Sequence, residues 1–248
     1  MITLDVAPHE IQLAIPLRIT GHEFRSFGVI VVTLGDGEYR GRGEAAGVYF
    51  LDDGVDHMIG AIEGVRREIE QGADRQALRT LLPPGGARNA LDCALWDLEA
   101  ARTGKPVWQL AGLPQPKPLL TTFTLSADFP EAMARRAGQL DQARSIKIKL
   151  TGEVELDIER VRAIRSARAD AWLGVDGNQG FAPDDLPTLI PALVEQRISL
   201  LEQPLPRGLE AALSGLDSPI PIAGDESILS LPDVTAAPGR FQVVNIKL

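Results

Sequence analysis

The stretch Ile146-Lys-Ile-Lys-Leu150 carries two charges inside a short apolar run, and the second half of the chain repeats that pattern. Further charges end or follow the runs WLGVD, ISLLE, PIAGD and VVNIKL, so that five fall in step: Lys149, Asp176, Glu202, Asp225 and Lys247. The gaps between them are 27, 26, 23 and 22 residues, about the length of one strand-plus-helix unit. The spacing predicts successive parallel strands whose carboxyl ends bring the five charges to one point.

Three carboxylates flanked by a lysine on each side are the side chains that a metal site with two proton-transfer groups requires. Oxygen ligands suit Mg²⁺, which can neutralise the charge that develops when a proton alpha to a carboxylate is removed. We therefore expect Asp176, Glu202 and Asp225 to bind Mg²⁺. Lys149 and Lys247 would then stand on opposite faces of a substrate carbon, where one removes a proton and the other returns it. The pattern predicts an enzyme.

Each of these residues alone is more often an ordinary surface charge, since lysines and carboxylates are mostly solvated. Their shared register favours the functional interpretation. Lys149 stands among isoleucine and leucine residues in a run too apolar for a surface loop, and Lys247 follows two valines and Ile246. A charge in such a run is costly unless it is paired or coordinated.

Composition places the chain among globular proteins. It has 248 residues, of which 44% are hydrophobic and 24% charged, enough to bury a sizeable core. No signal peptide or membrane-length apolar run is visible, which predicts a cytoplasmic protein. The net charge of -9 argues against binding to nucleic acid or an anionic membrane, so the expected partner is a small molecule. A homo-oligomer stays open, because the sequence gives no count of subunits.

The chain changes character near residue 112, where a proline-rich stretch from Gly112 to Pro118 begins. Before it, strand alternations at 9–15 and 27–34 predict a small antiparallel sheet, and helical patterns follow. After it, strand and helix patterns alternate and predict a parallel sheet with crossover helices. We expect two domains: an α+β domain over 1–112, and a (β/α) barrel of the TIM type over 113–248, with six strands in this sequence.

The motifs resemble those of the enolase superfamily, and within it the muconate-lactonizing branch. They are Lys147-Ile-Lys149, Asp176-Gly-Asn178, Glu202-Gln-Pro204, Asp225-Glu-Ser227 and Asn245-Ile-Lys247, with Ala94-Leu-Trp-Asp-Leu98 in the first domain. The Asp-Glu-Ser triplet and Thr122-Phe-Thr-Leu-Ser126 look most like dipeptide epimerases, the relatives of L-Ala-D/L-Glu epimerase. The resemblance implies that the first domain caps the barrel and that the cofactor is Mg²⁺.

The reaction implied by this resemblance is a 1,1-proton transfer through an enediolate, which epimerises a dipeptide at the alpha carbon of its C-terminal residue. Muconate cycloisomerase, o-succinylbenzoate synthase and N-acylamino acid racemase activities stay open as alternatives, because they use the same metal and lysines. From other classes, a noncatalytic barrel fragment that binds a metal or a partner stays open, as does hydrolysis by two carboxylates without Mg²⁺.

Four further residues are candidates for substrate binding or for electrostatic roles. Lys147 points the same way as Lys149 in a strand, so its like charge should favour the neutral amine form of Lys149. Lys147 can also bind a substrate carboxylate oxygen. Asn178 is a candidate contact near the metal or the substrate, as in the family. Glu226 is either an electrostatic partner of the base or an exposed turn residue. Arg25 is either an ordinary loop charge or a specificity-loop arginine that binds a substrate carboxylate.

The sequence ends one residue after Lys247, at the sixth predicted barrel strand, whereas a TIM-type barrel has eight. In dipeptide epimerases the eighth-strand region carries an Asp-x-Asp motif that holds the substrate's ammonium group. We therefore assign the predicted function to a complete protein, and we expect weak or no activity from the 248-residue chain itself.

Overall fold

The computed structural model describes residues 1–247. The chain divides into two compact units. The first contains Met1–Ala14 and Arg25–Pro118, and the second contains Ile15–Phe24 and the chain from Leu119 onward. Assignment of residues 15–24 to the second unit was not expected from the sequence. The predicted domain boundary at residue 112 stays a prediction.

The first unit contains most of a three-stranded sheet. Its strands run in the order β1 (Thr3–Ile19), β2 (His22–Gly35) and β3 (Arg40–Ala46), and β2 and β3 pair antiparallel. Residues 15–24, at the ends of β1 and β2, belong to the second unit. The predicted antiparallel sheet is confirmed. Strands β1 and β2 are longer than the sequence alternation indicated, because they continue through residues without a clear apolar period.

Five helices complete the first unit: α1 (Val55–Gly64), α2 (Arg66–Glu70), α3 (Arg75–Leu81), α4 (Gly86–Thr103) and α5 (Val107–Leu110). Helix α4 lies so close to β3 that a Cβ on Gly43 would stand 2.0 Å from the Ala90 carbonyl oxygen, a position that only glycine tolerates. The helical patterns predicted after the strands of the first domain are confirmed in α1, α2 and α4, whereas α3 and α5 were not predicted.

The second unit contains a six-stranded parallel sheet in chain order. Its strands are β4 (Phe123–Leu125), β5 (Ser145–Lys149), β6 (Trp172–Asp176), β7 (Leu200–Glu202), β8 (Ile222–Gly224) and β9 (Val243–Val244). The alternating helices are α6 (Pro130–Gln139), α7 (Val154–Ala167), α8 (Leu186–Glu195, with Pro191 inside it) and α9 (Leu231–Ala236). A 3₁₀ turn at Glu210–Leu213 separates β7 from β8. All six predicted strands are confirmed.

Strand β5 shows how the sheet positions charge. Ile146 and Ile148 are fully buried in a core that also contains Met133 of α6 and Ile164 of α7. Because successive side chains of a strand point to opposite faces, Lys147 and Lys149 project to the other face. Among residues 1–247, none of the helices combines the length and the apolar character that a membrane span requires. The cytoplasmic location stays a prediction.

Candidate active site

The sheet register aligns the first three charged residues in one row. Lys149 stands opposite Asp176, Asp176 opposite Glu202, and Glu202 opposite Ala223. Asp225 lies two positions beyond Ala223, at the end of β8. The predicted convergence at the carboxyl ends of the strands is therefore present in the structure.

Asp176 is the most deeply buried carboxylate of the group, with 0% of its surface exposed. Its Oδ2 accepts hydrogen bonds from Lys149 Nζ at 2.7 Å and lies 2.8 Å from Lys147 Nζ. Its Oδ1 accepts from the backbone N–H of Asn178 at 2.9 Å. Burial opposes the charged form, but the charges of Lys149 and Lys147 hold the pKa of Asp176 below its ordinary value.

Glu202 is also buried, and both of its oxygens lie 2.8 Å from Lys147 Nζ. Burial and the neighbouring Asp176 charge raise the pKa of Glu202, and Lys147 offsets this only in part. For Lys147 itself burial opposes the ammonium form, but Asp176 and Glu202 outweigh it and raise its pKa. The two carboxylates thus share one cation and repel each other.

Asp225 continues the cluster toward the last strand. Lys247 Nζ lies 2.6 Å from Asp225 Oδ1 and donates to Oδ2 at 2.8 Å. Asn245 Nδ2 donates to Asp225 Oδ1 at 3.2 Å and to Glu202 Oε1 at 3.4 Å, which links the two carboxylates. No role was predicted for Asn245. The available signal was its position two residues before Lys247, because side chains two apart point the same way in a strand.

Asn178 and Glu226 extend the cluster on the side of Lys149. Lys149 Nζ donates to Asn178 Oδ1 at 2.9 Å, and Asn178 Nδ2 donates to Glu226 Oε1 at 3.1 Å. Glu226 is only 1% exposed, and its Oε2 has no hydrogen-bond partner among the described residues. Burial raises the pKa of Glu226, against the hydrogen bond from Asn178. The alternative of an exposed turn residue is therefore wrong, and an electrostatic role stays a prediction.

Gln203 holds the end of β8 in place, a role that the sequence did not reveal. It is 1% exposed. Its Oε1 accepts from the backbone N–H groups of Asp225 at 3.0 Å and Ser227 at 3.2 Å. Its Nε2 donates to the Leu205 carbonyl at 2.9 Å and to Ser227 Oγ at 2.8 Å. An uncharged residue in a Glu-Gln-Pro motif gave no signal of this.

The chemistry of the donor set fits Mg²⁺. Lys147 bridges Asp176 and Glu202, and Asn245 bridges Glu202 and Asp225, so the three carboxylates are neighbours. Burial first, and then the Asp176 charge, raises the pKa of Glu202, and a bound divalent cation would favour the charged form of such a carboxylate. Among the described residues, however, no group of three His, Cys, Asp or Glu side chains has a metal-binding arrangement. The carboxylate oxygens face lysine ammonium groups instead, and the ligand assignment stays a prediction.

Arg25 is the one predicted site residue in the first unit. It lies in β2 and is exposed. Its predicted role in binding a substrate carboxylate stays a prediction.

Comparison with known proteins gives the family. Residues 1–112 match the family described as mandelate racemase/muconate lactonizing enzyme, N-terminal domain, and residues 131–248 match the one described as enolase C-terminal domain-like. The L-Ala-D/L-Glu epimerase of Escherichia coli (strain K12) is 37% identical over 220 residues, which cover 89% of this chain and 68% of that protein. The chain belongs to the enolase superfamily. The predicted membership in the muconate-lactonizing branch is confirmed.

Solved structures of enolase-superfamily proteins share this fold. A family member from Agrobacterium tumefaciens with homology to dipeptide epimerases, bound to sodium and L-Ala-L-Glu, has a TM-score of 0.92 and 32% identity. The match covers 99% of this chain and 75% of that one. The dipeptide epimerase of Enterococcus faecalis V583, in complex with Mg and L-Leu-L-Tyr, has a TM-score of 0.90 and 28% identity, over 99% and 73% of the two chains. The predicted fold class, a TIM-type barrel domain with an N-terminal capping domain, is confirmed.

Proposed function

We propose that the protein epimerises a dipeptide at the alpha carbon of its C-terminal residue by a Mg²⁺-dependent 1,1-proton transfer. The observation that carries this proposal is the presence of a lysine at each end of one carboxylate cluster. Lys149 lies 2.7 Å from Asp176, and Lys247 lies 2.6 Å from Asp225. Strands β6, β7 and β8 separate the strand of Lys149 from the strand that precedes Lys247. A substrate carbon placed over the cluster would have one lysine on each face.

The two lysines would work as a complementary pair. One, as the free amine, takes the alpha proton when the C–H bond breaks, and the electron pair moves onto the neighbouring carboxylate group. The other, as the ammonium, gives its Nζ proton to the opposite face of the same carbon. The centre is inverted and no atoms are gained or lost, and the roles exchange for the opposite epimer.

The remaining side chains would bind and orient. Asp176, Glu202 and Asp225 would hold Mg²⁺, which would supply positive charge that stabilises the deprotonated substrate. Lys147 contacts two of these carboxylates and is the candidate contact for a substrate carboxylate oxygen. Asn178, held by Glu226, fixes the direction of the Lys149 ammonium group.

A dipeptide with an acidic C-terminal residue is the first substrate to test. The relative from Escherichia coli is an L-Ala-D/L-Glu epimerase, and the structure from Agrobacterium tumefaciens holds L-Ala-L-Glu. Arg25 is the candidate partner for the side-chain carboxylate of such a residue. Other dipeptides then test the breadth of the site, since the Enterococcus faecalis structure holds L-Leu-L-Tyr.

The test is NMR of L-Ala-L-Glu with Mg²⁺ in deuterium oxide, using the natural protein that carries this sequence. We expect deuterium at the glutamate alpha carbon together with the appearance of L-Ala-D-Glu. Lys149→Ala and Lys247→Ala should each lower epimer formation by about a thousandfold, the scale of a lost acid or base. Each variant should still exchange the proton that its remaining lysine can reach. Lys105→Ala, at an exposed lysine, is the matched control and should behave as the wild type.

The alternatives give different outcomes in the same experiment. Exchange with N-acylamino acids but with no dipeptide would favour the racemase alternative. Binding of Mg²⁺ without exchange in any carboxylate substrate would favour a noncatalytic protein. Inversion at an undiminished rate in Lys149→Ala would contradict the assignment of that lysine.

A further inference from the structure

Thr20 contacts the backbone of two loops that carry site residues. It lies at the end of the β1–β2 hairpin, in the segment Ile15–Phe24 that belongs to the second unit. Its hydroxyl donates to the carbonyl of Gly177 at 2.8 Å and lies 3.4 Å from the carbonyl of Leu150. A single hydroxyl proton favours the shorter of the two bonds. Gly177 separates Asp176 from Asn178, so this bond reaches the middle of a site motif.

The backbone around this bond is tightly packed. A Cβ on Gly180 would stand 2.5 Å from Thr20 Oγ1, and a Cβ on Gly152 would stand 2.3 Å from the Gly180 carbonyl oxygen. The Gly177 carbonyl also accepts the N–H of Gly180 at 2.9 Å. With the Thr20 hydroxyl it therefore has both of its lone pairs in use. A shift of Thr20 would have to move the loop after β6.

The end of β1, just before Thr20, is held by a separate set of bonds. The backbone N–H of Arg18 donates to Ser126 Oγ at 2.7 Å, and Ser126 Oγ donates to the Pro16 carbonyl at 2.9 Å. The N–H of Ala127 donates to the Arg18 carbonyl at 3.1 Å. These bonds fasten the chain just before Thr20 along the segment that follows β4.

The loop that Thr20 contacts has an unfavourable backbone conformation. Asn178 has φ 40° and Gln179 has φ 67°, both in the left-handed region, although neither is glycine. Such residues cost free energy and persist only where their surroundings hold them. The Thr20 hydroxyl bonds to the carbonyl of the peptide group that immediately precedes Asn178. Asn178 in turn accepts a hydrogen bond from Lys149 Nζ. Two hydrogen bonds, one on each side of the Gly177–Asn178 peptide, therefore connect the Thr20 hydroxyl to the proposed base.

We propose that Thr20 is a positioning residue: its hydroxyl holds the Gly177–Gly180 loop so that Asn178 directs Lys149 at the substrate carbon. This inference rests on the proposed function. It concerns a residue more than a hundred positions from either partner in sequence, as the separations of 130 and 157 residues indicate. The role is to fix geometry, and Thr20 need not touch the substrate.

The test compares three variants of the natural protein. Thr20→Val removes the hydroxyl and keeps the shape of the side chain, whereas Thr20→Ser keeps the hydroxyl. Thr3→Val is the matched control, because Thr3 Oγ1 makes the same kind of bond, at 3.2 Å, to the Gly35 carbonyl in the first unit. Two quantities are measured: amide hydrogen exchange over residues 177–180, and kcat and KM for epimerisation of L-Ala-L-Glu.

We expect Thr20→Val to raise the exchange rate of the Gly180 amide and to lower kcat, each by roughly tenfold, the scale of one lost hydrogen bond. KM should stay nearly constant, because the loss falls on the orientation of Lys149. Thr20→Ser and Thr3→Val should match the wild type in both measurements.

Unchanged exchange over 177–180 in Thr20→Val would overturn the inference, whatever the activity. Faster exchange with an unchanged kcat would overturn it too, since the hydroxyl would then hold the loop without consequence for Lys149. A wild-type protein that exchanges no substrate proton would refute the proposed function instead, and with it any role of Thr20 in that reaction. The hydrogen-exchange rates would still show whether the loop is held.

Discussion

The two ends of the parallel sheet bury charge in different ways. At the amino end, Arg165 of α7 donates to the carbonyls of Gln196, Arg168, Ala171 and Arg197, which lie in segments leading into β6 and β7. Arg168 donates to the carbonyls of Leu140 and Ala143, ahead of β5. At the carboxyl end of the same strands, buried carboxylates face one another and share a small number of cations.

The difference separates stability from chemistry. At the amino end the guanidinium groups donate to neutral carbonyls and so satisfy backbone groups, and Arg168 also pairs with the exposed Asp170. At the carboxyl end, Glu202 is buried beside Asp176, and burial together with the Asp176 charge raises the pKa of Glu202. One oxygen of Glu226 has no hydrogen-bond partner among the described residues. Perturbed groups of this kind cluster at functional sites. In barrels of this type the carboxyl face carries the chemistry and the amino face carries stability.

The largest difference between the two ends is expected when one carboxylate at each end of β6 is neutralised. Asp176→Asn removes the negative charge that faces both Lys147 and Lys149 and weakens one proposed Mg²⁺ ligand, so we expect epimerisation to fall by about a thousandfold or more. Asp170→Asn makes the same chemical change at an exposed aspartate just before β6 and should leave the rate unchanged. Solvent-deuterium exchange checks the rate, and calorimetry checks Mg²⁺ affinity, which should fall in Asp176→Asn alone.

The sequence could predict the carboxyl end because charge there is conspicuous. A lysine such as Lys149 inside IKIKL, or an aspartate that ends WLGVD, stands out against an apolar run, and spacing places successive examples at one edge of the sheet. The six strands were predicted for the same reason, since strand and helix patterns alternate clearly after residue 119.

The amino end and the supporting residues could not be predicted. Arg165 sits in an amphipathic helix where an arginine indicates a solvated face, and its burial depends on carbonyls that lie 31 and 32 positions away. Gln203 and Asn245 are uncharged and act through side-chain contacts with other strands. The Thr20 contact joins residues 157 positions apart. Local periodicity carries no information about such long-range bonds, because they exist only once the chain has folded.

The second prediction concerns the amino end alone. Arg165→Met should lower the free energy of unfolding by about 3 kcal/mol, because several buried carbonyls lose their donor. It should leave kcat unchanged, because the lost bonds lie at the end of the sheet away from the carboxylates. Arg162→Met is the matched control on the same helix: its side chain is 54% exposed and lies 3.5 Å from Glu195, a contact worth about 0.5 kcal/mol. Urea unfolding measures the free energy of unfolding of both variants, and an epimerisation assay measures kcat. A loss of activity in correctly folded Arg165→Met would show that the two ends are not independent.

The third prediction concerns the pH dependence of stability that Glu226 contributes at the carboxyl end, where we expect the smallest effect. Burial raises the pKa of Glu226 above the ordinary value of 4.5, so the folded protein favours the protonated form. Stability from this group is therefore complete below that value and is lost as the pH rises through the folded-state pKa. In metal-free protein, we expect the free energy of unfolding of the wild type to fall relative to Glu226→Gln as the pH rises above the ordinary glutamate value of 4.5.

Glu159→Gln, at an exposed glutamate of α7, is the control and should follow the wild-type pH dependence. Equal slopes in the wild type and Glu226→Gln would mean that the buried carboxyl group does not change its protonation on folding. Mg²⁺ then provides a second comparison on the same three proteins. A divalent cation held by Asp176, Glu202 and Asp225 would favour the charged form of the neighbouring Glu226, so the wild-type slope should shrink toward that of Glu226→Gln when Mg²⁺ is added. A slope that Mg²⁺ leaves unchanged would place the cation outside the reach of this cluster, and the three carboxylates would then need another explanation for their burial.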